Sequence, residues 1–474
     1  MSRSLRSVLP WVLGGCLLGI VWFFYNYSLP PLYKGRNCCD SVQYIGIAQS
    51  APGLKEILDH TGERTLGYPL FLWLHKSFVH LVAAAGSDWV PLSLVSCLVL
   101  HFVAILFLYW VLVVRLKTKL SPVFLLLTLA HPGLVSHAAL PLTDSITASL
   151  CTAALGFAIW GYEEGLRTRT KVLVHLAAGA LLGACVLIRP SFLLLAAAAL
   201  PTLWFVLPAI QNARRDAQKT AKARVRAVAF AVGHYLLPVV IGIVLVSAVG
   251  FRNCMARYQT FCVSNPAFNA NSLSGSIKWG LTSPRVYTAW MPRTRSAFIN
   301  DPYSLKRLGG ARCAIAPDKA FGDLGRCYAK HWRYVPVHLV KKTIGLFDNF
   351  HLNTYATDIT RPWHSLLNRT FGCLAFLGWL SSFYFFYSLF RDKRFDEPHL
   401  IALSGFVVLY VGIFINLHIE SRYGFPAIVP CLVMLGHVTK TASKRAKCAL
   451  LAGALLFWIQ TVAWDAAKDV SLGG

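Results

Sequence analysis

The chain is a succession of apolar runs, most of them long enough to cross a membrane, which short polar connections separate. A helix needs about 20 apolar residues to span the hydrocarbon core of a bilayer. Hydrophobic residues make up 56% of the 474 residues and charged residues only 14%, whereas a soluble domain carries about a quarter charged residues. This pattern predicts an all-α integral membrane protein and argues against a soluble globular fold.

We place eleven transmembrane helices on these runs. The first is interpreted as a retained span, because it is long and aromatic and no small-residue cleavage site follows it. His131-Pro132-Gly133 and Pro141 interrupt the third and fourth helices, and broken helices at membrane depth survive only where protein or a cavity covers the freed backbone. The predicted spans are residues 8–29, 91–114, 121–140, 144–162, 172–189, 191–210, 228–250, 367–390, 400–417, 422–439 and 448–465.

Every second connection between the runs is rich in Lys and Arg. Positively charged connections stay in the cytoplasm during insertion, so these connections and the N-terminus are predicted to be cytoplasmic. This bias accounts for much of the net charge of +26, and we expect membrane lipids rather than nucleic acid as partners. The basic connections contain Arg3/Arg6, Arg115/Lys117/Lys119, Arg167/Arg169/Lys171, Arg214 through Arg226, Arg391/Lys393/Arg394 and Lys440/Lys444/Arg445/Lys447.

Three regions follow from this topology. Residues 1–250 form an N-terminal transmembrane region with a first outer connection at 30–90, residues 251–366 form a large extracytoplasmic segment, and residues 367–474 hold the C-terminal transmembrane helices. Three outer stretches have apolar residues at helical spacing, and we interpret them as amphipathic helices in the outer interface. Two lie in the first outer connection, led by Tyr44 and Tyr68, and the third runs from Tyr328 to Phe350.

The thirteen cysteines divide between two environments. Seven lie inside apolar runs, where a free thiol packs as a small hydrophobe. The predicted outer segments contain an even number of cysteines, as disulfide pairing in an oxidising compartment requires. Local pairs Cys254–Cys262 and Cys313–Cys327 are preferred, while free thiols remain the alternative. The six outer cysteines are Cys38, Cys39, Cys254, Cys262, Cys313 and Cys327.

Asp40 follows the first predicted span in the order Cys38-Cys39-Asp40-Ser41. A carboxylate at a membrane surface can accept the proton of a hydroxyl nucleophile. Alternatively, Asp40 or Ser41 caps the interfacial helix, since Asp and Ser are preferred at that position. The residues alone leave both interpretations open.

Arg64, Arg189 and Arg422 are all predicted at the outer face. Guanidinium groups bind phosphate bidentately and stay charged when partly desolvated. An arginine at a helix end also commonly snorkels to lipid phosphate. Three arginines on one face, together with carboxylates, favour a phosphate-bearing ligand.

Asp144 begins a predicted helix at the outer face, where it either caps the helix or lies in a pocket. The spacing of His331, His351 and His418 matches no compact metal motif. No nucleotide fingerprint stands in a supporting context. Asn368-Arg369-Thr370 is a formal glycosylation sequon, but it abuts a predicted span and carries no weight.

In this order, the outer-face residues resemble the C-type (GT-C) membrane glycosyltransferases that use polyprenyl-phosphate sugars, such as the protein O-mannosyltransferases and the lipid A aminoarabinose transferase. The similarity extends from the first helix to about Gly436. The matching elements are Asp40…Tyr44…Ala48, Arg64…Gly67-Tyr68-Pro69, Leu142-Thr143-Asp144, Leu187-Ile188-Arg189-Pro190 and Glu420-Ser421-Arg422-Tyr423…Pro426…Pro430.

The resemblance implies a glycosyltransferase in a bacterial inner membrane, with its active site facing the periplasm. It would move one sugar, with inversion, from a polyprenyl-phosphate donor to a glycan, lipid or protein acceptor. Asp40 would be the base and Arg64, Arg189 and Arg422 would hold the phosphate. Tyr68 and Tyr423 would line the pocket, and Asp144 and Glu420 are further acidic candidates.

Two departures from the family pattern bear on the chemistry. Asp40 follows two cysteines rather than a second acid, which leaves the need for a divalent metal uncertain, and no cofactor is implied. The long outer segment has unusual cysteines. Two other functions remain as alternatives: a lipid-linked oligosaccharide polymerase or ligase, and a secondary transporter, which would place its ionisable residues near the middle of the bilayer.

Overall fold

The apolar runs fold into helices because backbone groups within a bilayer must be paired inside their own segment. The computed structural model describes residues 3–28, 39–59, 65–82, 87–163, 165–192, 232–259, 262, 266–282, 285–287, 297–299, 301–309, 312–348, 362–392, 397–417 and 421–471. The described part of the chain is helical except for one small hairpin and the connections.

The N-terminal region contains long helices with short ones between them. α5 continues into a π-helical turn, Trp110–Arg115, and a second π-helical turn, Val232–Leu236, leads into α10. The helices are α1 (Arg3–Ser28), α2 (Cys39–Ser50), α3 (Leu54–Leu58), α4 (Gly67–Val82), α5 (Val90–Tyr109), α6 (Val123–Leu129), α7 (Pro132–Ala138), α8 (Thr143–Trp160), α9 (Thr168–Ile188) and α10 (Leu237–Tyr258).

The predicted extracytoplasmic segment contains shorter elements. The antiparallel hairpin pairs Arg285 with Ile299 and Tyr287 with Ala297, and it is the described exception to the predicted all-α fold. The segment contains α11 (Pro266–Thr282), β1 (Arg285–Tyr287), β2 (Ala297–Ile299), α12 (Pro302–Leu308), α13 (Ala320–Lys330) and α14 (Val335–Phe347).

The C-terminal region returns to long helices. A 3-10 turn, Ser421–Gly424, leads directly into the second-last of them. These helices are α15 (Pro362–Asp392), α16 (Pro398–Phe414), α17 (Phe425–Thr441) and α18 (Lys444–Ser471). Two helices cross the boundaries predicted for the outer segment, since α10 continues to Tyr258 and α15 begins at Pro362.

Six helices in the described residues are long and apolar enough to cross a membrane: Val8–Tyr25, Val90–Arg115, Thr168–Ile188, Leu237–Tyr258, Leu366–Leu389 and Lys444–Trp464. Three more predicted spans correspond to shorter apolar segments, Val123–Ala138, Pro398–Phe414 and Phe425–Thr441. The predicted span 144–162 corresponds to α8, and the span at 191–210 falls outside the described residues apart from its first two positions. The chain is therefore a helical protein, and six helices of its described part are able to cross a membrane by length and composition.

The span predicted at 121–140 consists of two short helices, and the break falls at the interruption predicted at His131-Pro132-Gly133. α6 ends at Leu129 and α7 begins at Pro132, whose missing N–H suits a first helical turn. The His131 Nδ1 atom accepts the backbone N–H groups of Gly133 and Leu134, at 3.2 and 3.4 Å. The break is covered by protein, since His131 is fully buried.

Two helices form the centre of the bundle. Every residue of α17 from Phe425 to Val438 is buried, and α8 is buried along nearly its whole length. The hydroxyl groups along α8 bond to carbonyls of the preceding turn, as Ser149 does to Ser145 and Thr152 to Ala148. Central helices of this kind tolerate polar residues because the hydroxyls are satisfied within the helix.

The predicted outer segment contains two disulfides, and they are the local pairs preferred from the sequence. Cys254 pairs with Cys262 and Cys313 pairs with Cys327, with Cα–Cα distances of 5.4 and 5.3 Å. Cys38 lies outside the described residues, as does the side chain of Cys39.

The single interfacial helix predicted from Tyr328 to Phe350 is wrong in detail. α13 ends at Lys330, and α14 starts at Val335 after the turn that contains His331 and Tyr334. Pro336 lies in the first turn of α14. Proline is favoured in a first helical turn, and it disfavours helical backbone at the residue before it. The predicted amphipathic stretches at Tyr44 and Tyr68 lie in helices α2 and α4.

Predicted cytoplasmic connections come together at one end of the bundle. Arg115 forms an ion pair with Glu163 at 2.8 Å. At the same end, Lys440 Nζ donates to the Leu120 carbonyl at 3.0 Å, and Thr118 bonds to His399 at 2.9 Å. The candidate site lies at the opposite ends of these helices.

Candidate functional site

An ion pair between α8 and the end of α9 forms the centre of the candidate site. Arg189 Nη2 lies 2.8 Å from Asp144 Oδ1; the Asp144 side chain is fully buried and that of Arg189 is 16% exposed. α9 ends at Ile188, and Arg189 is extended, as expected of a residue before proline. Leu142 occupies the N-cap position, so Asp144 is not the cap residue of α8.

Tyr423 contacts the same guanidinium from the turn before α17. The guanidinium carbon of Arg189 lies 5.3 Å from the centre of the Tyr423 ring, within the range of a cation–π interaction. The Tyr410 hydroxyl on α16 donates to the Tyr423 carbonyl at 2.7 Å. Arg189 thus contacts both a carboxylate and an aromatic ring, and its side chain remains partly exposed.

The segment Thr65–Tyr68 docks against the end of α9. The Thr65 hydroxyl donates to the Ile188 carbonyl at 2.8 Å. Gly67 permits this approach, since a Cβ there would lie 2.7 Å from the Leu187 carbonyl carbon. The Gly-Tyr-Pro element is therefore placed directly beside Arg189 by backbone contact.

Tyr68 presents a buried phenol next to this ion pair. Its side chain is fully buried and packs edge-on against Tyr44 at 5.1 Å between ring centres. Among the described residues its hydroxyl has no hydrogen-bond partner. Burial raises the pKa of Tyr68 well above its ordinary value, and the charge of Asp144 contributes. The group therefore stays protonated, and it is a donor that a ligand would satisfy.

Asp40 lies in the first turn of α2, on the helix face that leads to Tyr68. Asp40 is half-buried, whereas Tyr44 and Ala48, one and two turns further along, are buried. Residues four apart share a helix face, so Asp40 lies one turn from the tyrosine that contacts Tyr68. The end of α2 is fixed by Lys76 of α4, whose Nζ donates to the carbonyls of Ala48, Gln49 and Ala51 at 3.2, 2.9 and 3.0 Å.

The remaining predicted site residues are described only in part. Arg64 and Glu420 lie outside the described residues, and so does the side chain of Arg422, whose backbone belongs to the turn before α17. The structure thus brings together Asp144, Arg189, Tyr68 and Tyr423, with Asp40 on the adjoining helix.

Sequence reasoning missed three parts of this arrangement. Tyr44 appeared only as part of a motif, although its spacing of four from Asp40 was a usable signal. Thr65 and Tyr410 gave no signal, since one is an ordinary polar residue and the other lies inside an apolar run. Within the described residues, no group of three or more His, Cys, Asp or Glu side chains is arranged to hold a metal ion.

The formal glycosylation sequon is unsuited to modification. Asn368 is 1% exposed, inside α15. Arg369 pairs with the buried Asp348 at 3.4 Å. A bulky glycan requires a surface asparagine, so this sequence serves packing.

Comparisons of the chain with known protein families, with curated proteins and with solved structures find no match.

Proposed function

We propose that the chain is a multi-pass membrane glycosyltransferase that transfers a single sugar from a polyprenyl-phosphate donor to an acceptor outside the cytoplasm. In this proposal the eleven predicted spans place Asp40, Asp144 and Arg189 at the outer interface of a bacterial inner membrane. Because the leaving group of such a donor remains in the membrane, the chemistry belongs at that interface.

The observation that carries the proposal is the Arg189 site. A partly exposed guanidinium, in contact with Asp144 and Tyr423, lies beside a buried phenol that has no partner among the described residues. Cation and donor together suit a phosphate group. Asp40 lies on the neighbouring helix and is the proposed base for the acceptor.

The proposed reaction has one bond-forming and one bond-breaking event. Asp40 accepts the proton of the acceptor hydroxyl, whose oxygen attacks the anomeric carbon on the side opposite the phosphate. The bond between that carbon and the phosphate oxygen breaks, and polyprenyl phosphate departs with its negative charge. Arg189, with Arg64 and Arg422, stabilises that charge as it develops, and the configuration at the anomeric carbon inverts.

The test measures release of polyprenyl phosphate, because this product is common to every acceptor. The purified full chain in lipid nanodiscs receives a panel of short-chain polyprenyl-phosphate sugars and a lipid extract of host membranes. We expect Asp40→Asn to lower release by roughly 10²–10⁴-fold, the usual share of general base catalysis. The variant should still fold, because Asn stabilises the start of a helix about as well as Asp does.

Asp318→Asn is the matched control, since that outer carboxylate is 70% exposed and pairs only weakly with Lys319. It should release product at the wild-type rate. Full activity in Asp40→Asn would remove Asp40 as the base and direct attention to Asp144 or Glu420. Uptake of a solute without any sugar transfer would instead favour a transporter.

A further inference from the structure

Lys342 is a fully buried lysine on α14 that joins two other segments. Its Nζ atom donates to the carbonyl of Gly280, near the end of α11, at 3.0 Å. The same atom donates to the carbonyl of Leu417, just after α16. Carbonyls in the last turn of a helix, such as that of Gly280, have no partner within the helix. Lys342 satisfies this carbonyl and that of Leu417 with one side chain.

The three segments approach too closely for any side chain at position 280. A Cβ on Gly280 would lie 2.6 Å from the Leu417 oxygen and 3.0 Å from Lys342 Nζ. One helical turn further along α14, a Cβ on Gly424 would lie 2.7 Å from the carbonyl oxygen of Leu346. α14 therefore contacts both ends of residues 417–424, of which the structure describes Leu417 and Ser421–Gly424.

Residues 417–424 include Glu420, Arg422 and Tyr423, three of the predicted site residues. Tyr423 lies against the guanidinium of Arg189. We infer that Lys342 is a positioning residue for the donor-phosphate site, acting through the segment that carries Arg422 and Tyr423. This inference rests on the proposed function for the identity of the ligand.

Lys342 acts through its N–H groups. No described carboxylate forms an ion pair with it, and burial lowers its pKa well below the ordinary value. On the same helix, His338 is buried and Lys341 pairs with Asp301 at 2.6 Å. The side-chain amine has enough N–H groups for both of the carbonyls that Lys342 contacts.

The experiment compares Lys342→Met, which removes the donors, with Lys342→Gln, which keeps an N–H₂ donor without a charge. Gly280→Ala disturbs the same contact from α11. Two readouts are taken on the full chain in nanodiscs: hydrogen exchange of residues 417–424, and the Kd of a short-chain polyprenyl phosphate. Lys306→Met, at an exposed lysine of the outer segment, is the control.

We expect faster exchange of residues 417–424 and a Kd about tenfold higher in Lys342→Met and Gly280→Ala, from the loss of about one hydrogen bond. Lys342→Gln should recover part of both, and Lys306→Met should match the wild type.

A merely structural role would lower the folded fraction without changing the Kd of the folded molecules, and that result overturns the inference. Unchanged exchange in both Lys342→Met and Gly280→Ala also overturns it. A wild-type chain that binds no polyprenyl phosphate refutes the proposed function, and the exchange data alone then decide whether Lys342 holds the segment.

Discussion

At the scale of single residues, the charges of the candidate site depend on each other. Asp144 is buried, and Arg189 is its ion-pair partner. A carboxylate committed to a guanidinium in this way is poorly suited to take a proton from a substrate. Among the described acids this favours Asp40 as the proposed base and makes Asp144 the group that orients Arg189.

Breaking this pair should separate its structural role from its role in binding. Asp144→Asn leaves a mostly buried guanidinium uncompensated and should lower the free energy of unfolding by about 3–5 kcal/mol. The double variant Asp144→Asn/Arg189→Gln removes both charges and should recover part of that loss. Thermal unfolding in nanodiscs measures the effect.

Donor binding should not recover in the double variant, because the phosphate loses its cation. Polyprenyl phosphate titrated into the two single variants and the double variant tests this. Wild-type affinity in the stabilised double variant would show that Arg189 only holds the helices together.

The hydroxyl of Tyr68 offers a second test, because its removal should have opposite effects on stability and binding. A buried hydroxyl without a partner costs about 1–3 kcal/mol. Tyr68→Phe keeps the ring packing against Tyr44, so the free protein should be as stable as the wild type or more stable. Ligand binding should weaken, since one donor is lost. If Tyr68→Phe destabilises the protein and leaves substrate binding unchanged, the hydroxyl has a structural partner instead.

How far the site follows from the sequence depends on the kind of residue. Asp144, Arg189, Tyr68 and Tyr423 were predictable because each interrupts or borders an apolar run on the predicted outer side. The pairing of Asp144 with Arg189 was not, since contacts between two helices leave no periodic signal. The burial of Lys342 was not predictable, because a lysine beside another lysine on an amphipathic helix is typically solvated. Only tertiary packing buries it.

At the scale of elements, the disulfides determine which parts of the outer segment stay together. Cys313 and Cys327 are both buried, and they connect the chain before α13 to the end of α13. They belong to one apolar cluster with Leu324 and with Ile344 of α14. The bridge therefore stabilises the base on which α14 packs.

Removing this bridge should loosen the outer segment. The bridged cysteines are 14 residues apart, and closing a loop of this size contributes about 3 kcal/mol in the chain-entropy model. Cys313→Ala/Cys327→Ala should be cut earlier in the outer segment during limited proteolysis and should unfold at lower temperature. Cys448→Ala, at an exposed free cysteine, provides the comparison. Equal cleavage rates in both variants would contradict the expectation.

The helices themselves were partly predictable from the need to pair backbone groups within a bilayer. Long apolar runs such as those of α1 and α9 leave a helix as the only way to pair the backbone. The division of 121–140 into α6 and α7 depends on Pro132, and the division near His331 on Pro336. Proline marks a probable boundary in a sequence, but whether the helix kinks or stops there depends on its neighbours.

At the scale of the whole molecule, the basic connections predict which side of the membrane each segment faces. A cysteine placed at Asp318 should react with an impermeant maleimide added outside intact cells. A cysteine at Ala217, in the predicted cytoplasmic connection, should react only after permeabilisation. Both are placed on a background that lacks the free cysteines. Labelling of position 217 from outside would reverse the assignment and remove the proposed chemistry with it.

The hairpin of α8 and α9 has a consequence for how the chain enters the membrane. Asp144 lies in the first turn of α8, Arg189 directly follows α9, and the two helices are joined by a short connection that ends at Arg167. Inserting an isolated charge into a bilayer is costly. Two consecutive helices that insert together bring opposite charges to the same depth at the same moment. If both helices span the bilayer as the topology predicts, each is expected to lower the energy barrier to membrane integration of the other.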